Sequence, residues 1–169
     1  PIIMHLRFYL ATMLSALSAV AAEIPAARMQ QVYEEVKTPY KYGIVIRGDN
    51  GRLADCPMVY QHQGRWYMTY VSMAKDGYET YLARSRDLLD WETLGKILTF
   101  RTNTWDQWQA DGSMALCDPT WGGGSRLQKF GGKYWMTYLG GALKGYETDP
   151  LAIGVAWAKN PVAVQEWTR

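Results

Sequence analysis

The tract Gly64-Arg65-Trp66-Tyr67-Met68-Thr69-Tyr70 returns as Gly132-Lys133-Tyr134-Trp135-Met136-Thr137-Tyr138. Gly77-Tyr78-Glu79-Thr80 returns as Gly145-Tyr146-Glu147-Thr148. Both echoes are displaced by 68 residues (132 − 64 and 145 − 77), so one structural unit occurs twice. A fixed period of this size belongs to repeat architectures, in which a unit buries its apolar face only against a neighbour. Chemistry is then expected where equivalent positions of successive units converge.

The apolar alternation within the repeat has the period of strands. In the first copy it predicts strands over Met58 to His62, Trp66 to Val71, Thr80 to Ser85 and Trp91 to Leu98, with a tight turn at Gln63-Gly64 and a loop over Ser72 to Tyr78. The second copy repeats this order: Leu127 to Phe130, a turn at Gly131-Gly132, Tyr134 to Leu139, a loop to Pro150, Leu151 to Ala158, and a fourth strand starting near Trp167. Four short antiparallel strands per unit make a propeller blade. The expected fold is all-β, a partial five-bladed propeller of about two blades, with a self-contained two-sheet sandwich as the alternative. Blade one spans 55–100; 101–169 holds a connecting loop and a truncated second blade, so the chain is expected to be the amino-terminal part of a larger protein.

Ahead of the repeats, 23–54 carries a short helix over Ala26 to Lys37, a β-branched strand over Tyr42 to Ile46 and turn chemistry at Gly48-Asp49-Asn50-Gly51. Tyr42 to Ile46 is expected to pair with the last blade and close the ring. Residues 1–22 read as a signal peptide: Arg7 near the start, an apolar run from Phe8 to Val20, and a small-residue cleavage site at Val20-Ala21-Ala22. Pro1-Ile2-Ile3, ahead of Met4, read as upstream read-through. The expected location is secreted or periplasmic, with no membrane attachment after cleavage. In that oxidising setting Cys56 and Cys117 can either pair or remain small buried side chains.

The chain carries 8 Trp and 12 Tyr against 3 Phe, a balance suited to sites that border wet, sugar-like ligands. Net charge is +2 with no Lys/Arg run, which gives nucleic acid no electrostatic footprint. His62 is the one histidine beyond the leader, which removes a Ser-His-Asp triad and a His-based zinc site. Ser72-Met73-Ala74-Lys75 lies in a loop and does not open a helix, and Trp121-Gly122-Gly123-Gly124-Ser125 lacks the Lys of a phosphate cradle.

Carboxylates brought to one funnel by adjacent blades are what a glycosidase needs: one ionised to activate water or attack the sugar, another protonated to release the leaving oxygen. Asp55 and Asp118 precede the expected first strands of the two units, with Asp111 as a rival for the second place. Glu79 and Glu147 stand in the repeated Gly-Tyr-Glu-Thr loops, either touching substrate or closing the loop on its own backbone. Trp105, Trp108 and Trp121 lie in the long connection from Thr99 to Arg126, where they either stack on sugar rings or fill space between blades. Trp66, Trp91, Trp135 and Trp157 fall within strands and are expected in the core.

Asp55-Cys56-Pro57-Met58-Val59 with the following Gly64 to Tyr70 tract resembles the opening blade of the five-bladed propeller glycoside hydrolases, family 43 above all, with families 32, 117 and 130 as relatives. Ser85-Arg86-Asp87-Leu88-Leu89-Asp90-Trp91 looks like their turn between third and fourth strands, and Cys117-Asp118-Pro119 like their second-blade Asp-Pro element. The resemblance runs from Asp55 onward. It implies that Asp55 is the general base or nucleophile and that Asp118 orients the proton donor and raises its pKa. The family's acid, a third-blade Glu, has no counterpart in this chain, and Cys56 intervenes where the family places Asp directly before Pro. The implied function is glycoside hydrolysis of a polysaccharide or oligosaccharide, with catalysis incomplete in this stretch alone; a non-catalytic sugar-binding propeller and a glycoside phosphorylase are the alternatives. The implied partner is carbohydrate. No organic cofactor and no metal ligand are implied, although some relatives carry calcium in the channel.

Overall fold

The computed structural model describes residues 24–37, 42–120, 122 and 124–169. The expected leader, its cleavage site and Trp121 lie outside the described residues. Tyr42–Arg169 forms one compact unit, separate from the stretch that carries the helix. That helix, α1 (Ala26–Val36), has no buried residue and is supported along its surface by Gln30–Glu34 and Gln31–Glu35 hydrogen bonds of 2.9 and 2.8 Å. Among the described residues no helix is long and apolar enough to cross a membrane.

The fold of the larger unit is all-β, in the manner of a partial propeller. β1 (Ala54–His62), β2 (Arg65–Ala74), β3 (Gly77–Ser85) and β4 (Trp91–Leu98) form an antiparallel meander. β5 (Gln109–Met114), β6 (Tyr134–Gly141) and β7 (Leu151–Ala158) repeat it. The fourth place of the second sheet is marked by Trp157 and Thr168, which exchange two backbone hydrogen bonds of 2.9 Å. Gln63-Gly64 and Gly131-Gly132 all have positive φ, the conformation of a two-residue turn whose twist matches that of paired strands. The repeated Gly therefore serves the turn, and the aromatic tract that follows serves the sheet.

Three expectations change. The loop foreseen over Ser72 to Tyr78 is strand on both sides of a tight turn, with Ala74 opposite Gly77. Tyr42 to Ile46 forms no strand: Gly43, at φ 96°, interrupts the extension, and Ile46 packs onto Met68, Tyr70, Tyr81 and Ala83. The first strand of the second unit is β5; Leu127 and Phe130 retain only isolated bridges. An excursion over 115–126 separates β5 from the hairpin turn, and this split hides the strand in a comparison of equally spaced tracts.

β3 and β5 share one parallel bridge, Tyr78 with Gln109, and the two sheets meet chiefly through side chains. Tyr60, Tyr67, Leu82 and Leu98 of the first pack on Ala110, Met114, Met136, Tyr138 and Ala156 of the second. Burying side chains of the Leu and Met class stabilises by about 1.5–3 kcal/mol each. At Gly112 the sheets come so close that a Cβ would stand 2.7 Å from the Leu98 Cδ1 methyl of the first sheet. Thr80, fully buried, spans the same joint: its hydroxyl donates to the Ala110 carbonyl and accepts from the Gly112 amide at 2.7 Å.

Candidate functional site

Register decides which residues are equivalent. Asp55 lies opposite Val71, and Asp111 lies opposite Leu139, the residue 68 positions after Val71. Asp111, not Asp118, therefore occupies the second-unit place of Asp55. A sequence signal for this exists: Ala54-Asp55-Cys56-Pro57-Met58 recurs as Ala110-Asp111-Gly112-Ser113-Met114, at a shorter offset than the main repeat. A β-bulge between Asp55 and Met58 accommodates Cys56, whose backbone is left-handed at φ 48°. The Asp55 carboxylate accepts the Cys56 amide at 2.7 Å.

Around Asp111 the chain gathers acidic groups from three segments: Asp55 at the start of β1, Asp111 in β5, and Glu147 in the connection from β6 to β7. Burial pushes the Asp111 carboxyl above the usual aspartate range; a hydrogen bond with the Cys56 thiol opposes this, and the charges of Asp55 and Glu147 add to it. The Cys56 thiol is pushed up to about 11, by burial first and then by Asp111 and Asp55, so it stays protonated and serves as a donor. Tyr78 is raised as well, by burial, by the Tyr146 hydroxyl, and by Glu147 and Asp55. Asp55, Cys56 and Glu147 are exposed and Asp111 is half-buried, so the group is open to a ligand.

The second Gly-Tyr-Glu-Thr copy reaches this group because its loop is tied down. The buried Gln109 amide donates to the Gly145 carbonyl at 2.6 Å, and the Gly145 amide donates to the Asp76 carbonyl at 2.9 Å. Lys144 pairs with Asp76 at 3.3 Å. The first copy has a different fate. Glu79 is buried in β3 and bound to Lys96 at 2.6 Å, so it is held by the sheet and kept from the ligand face. The two copies thus share a sequence and differ in role.

Asp118 does not join the acidic group. Its carboxylate caps the Thr120 amide at 2.9 Å, and this bond, with Arg126 nearby, holds its carboxyl below the usual range. The turn-forming role of an aspartate wins there. Trp105 stacks on Tyr138, centroids 5.8 Å apart, and Trp108 meets the Phe100 ring at 5.2 Å with the Lys144 ammonium 4.3 Å from its centroid. The Trp108 indole is taken up by the protein's own packing, whereas Trp105 stacks on one side and is 46% exposed. Cys56 and Cys117 are free thiols. Among the described residues no cluster of His, Cys, Asp or Glu is arranged to hold a metal ion.

Several solved structures are similar to this chain, among them two at 44% identity. One is named "Glycoside hydrolase": it is 44% identical over 86% of this chain, with a TM-score of 0.78. The chain is glycoside hydrolase-like. The other, a complex of BT0996 with RGII, is 44% identical over 86% of this chain with a TM-score of 0.79. The glycoside hydrolase-like chain spans 44% of the length of each. A beta-1,2-mannobiose phosphorylase from Listeria innocua is similar at 18% identity and a TM-score of 0.49, too remote to bear on the chemistry. No family model and no curated protein matches the chain.

Proposed function

We propose that the protein carrying this chain hydrolyses a glycosidic bond of a polysaccharide or oligosaccharide, using the carboxyl groups of Asp55 and Asp111. The observation that supports it most directly is the pairing of opposed environments. Burial and its acidic neighbours raise the proton affinity of Asp111, while Asp55 is exposed beside it. Two carboxyl groups in unlike surroundings, one buried and one open to water, are the arrangement that general acid–base chemistry on an acetal requires. In this reading Asp55 is the carboxyl group open to water and Asp111 the proton donor, its proton affinity raised by burial and by the charges of Asp55 and Glu147. Because one of the similar structures is a complex with RGII, a carbohydrate, RGII is the first substrate to test. Arabinose, xylose, galactose and fructose units all remain within the class of sugars addressed.

The test is product release from RGII by the full-length protein and by its Asp55→Asn and Asp111→Asn variants. Removal of a general acid or base costs roughly 10²–10⁴-fold in rate, and that loss is expected at both positions with folding intact. Activity retained in both variants sets the hydrolytic reading aside. Release that requires inorganic phosphate makes the protein a phosphorylase. Binding of RGII without any turnover makes it a sugar-binding propeller.

A further inference from the structure

We infer that Tyr146, braced by Tyr78, is the platform on which a neutral sugar ring stacks at the acidic group. The inference rests on the carbohydrate part of the proposed function and is independent of hydrolysis. The two tyrosines are the same position of the two Gly-Tyr-Glu-Thr copies, yet Tyr78 is buried and Tyr146 is 60% exposed. An exposed aromatic ring is usually a loose one. Tyr146 is held, because the buried Tyr78 ring meets it edge-wise, with centroids 5.4 Å apart and planes at 63°. Its loop is fixed on both sides of the ring: Gly145 is bonded to Gln109 and Asp76, and the Thr148 hydroxyl donates to the Lys144 carbonyl at 3.0 Å. The ring is thus ordered before any ligand arrives, so stacking on it costs little conformational entropy.

Position and charge narrow what stacks there. Glu147 is the next residue, and Glu147 and Asp55 both act on Tyr78, so the ring stands at the rim of the carboxylates. Sugar rings offer a C–H-rich face that packs on an aromatic face, while the phenol tip remains able to hydrogen-bond hydroxyls. Asp55, Asp111 and Glu147 make a uronate at this position unfavourable, since like charges brought together cost free energy. The stacked ring is therefore a neutral pentose or hexose. Neither Trp108 of the long connection nor Glu79 can take this place, because their surfaces are already engaged by the protein, and Trp105, though exposed, is committed on one face to Tyr138 of β6.

The test uses full-length protein carrying Asp55→Asn and Asp111→Asn, so that ligand is not consumed, titrated calorimetrically with RGII. Adding Tyr146→Ala is expected to weaken binding about tenfold, adding Tyr146→Phe to leave it nearly intact, and neither to move the melting temperature. Competition is read with the wild-type protein, whose three carboxylates are intact: free arabinose or galactose should compete with RGII, and galacturonic acid should not. Unchanged affinity in Tyr146→Ala, no RGII binding by the parent, no competition by the neutral sugars, or preferential competition by the acid would each overturn the inference. Tyr146-dependent binding by a wild-type protein that releases no product would remove the hydrolytic reading and leave the platform standing.

Discussion

Asp111 carries a thermodynamic signature that a merely structural aspartate would not have. Its carboxyl is raised above its unfolded-state value, so the folded chain binds that proton more tightly than the unfolded chain does. The resulting stabilisation is fully present below the unfolded pKa, near 4 for an ordinary aspartate, and is lost as pH rises through the folded value. Wild-type stability should therefore decline across that window, and Asp111→Asn should not share the decline. Melting temperatures at pH 4 and pH 7 check this: the variant is expected to match wild type at the acid end and exceed it at neutral pH. A variant less stable than wild type at pH 7 would show that Asp111 serves the fold. Gained stability with lost activity is the mark of a residue kept for chemistry. Sequence alone places Asp111 second to Asp118, because Asp118 stands before a proline in the expected motif. The deciding quantity, opposition to Leu139 across a ladder, is visible only once the strands pair.

At the scale of elements, β5 is held in place by one side chain of β3. The Thr80 hydroxyl engages the carbonyl of Ala110 and the amide of Gly112, the peptide groups on either side of Asp111. Both lie at the buried joint between sheets, so replacing Thr80 by Val keeps the shape and strands a donor and an acceptor. Leaving buried polar groups unpaired costs about 1–3 kcal/mol each. Thr80→Val is thus expected to lower unfolding free energy by roughly 2–6 kcal/mol in denaturant titration and to impair turnover beyond what that loss explains. Stability equal to wild type would dismiss the clamp. β2 and β6 are legible in the sequence because each is an aromatic-rich run beside a turn signal, and β4 and β7 because their Trp and β-branched residues stand between turns. β5, Gln-Ala-Asp-Gly-Ser-Met, has neither property. It is a strand because Thr80, the β6 ladder and the inter-sheet core make it one, and such tertiary causes leave no local trace.

At the scale of the molecule, the connection between sheets and the last segment are joined through one buried carboxylate. Asp106 is fully buried; its Oδ2 accepts from the Tyr138 hydroxyl at 2.9 Å and from Arg169 at 3.1 Å, with Arg101 at 3.5 Å. Arg169, itself largely buried, also donates to the Thr99 carbonyl at 2.5 Å, so first-sheet exit, connection, β6 and last segment meet at this point. Burial works to raise the Asp106 carboxyl, but the nearby Thr104 hydroxyl, the hydrogen bond from Tyr138 and the two guanidinium groups outweigh it and hold the carboxyl below the usual range. A depressed folded pKa gives stability that is present above the unfolded value and lost as pH falls through the folded one. Acid unfolding should accordingly set in below about pH 4 and begin with separation of the two sheets. Asp106→Asn leaves Arg169 buried without its counter-charge, a loss of roughly 3–5 kcal/mol for a broken buried pair. The double variant Asp106→Asn with Arg169→Met removes the charge left behind and should recover most of that loss, because replacing a whole buried pair is often neutral. Equal destabilisation in the single and double variants would mean that packing, not charge, joins the segments there. This also accounts for the fate of a tryptophan foreseen as a sugar contact. Trp105 precedes Asp106 and lies over Tyr138, so the same latch that binds the connection holds one face of its indole against the protein. Tyr146, on the loop that Gln109 holds beside the carboxylates, keeps the more exposed ring.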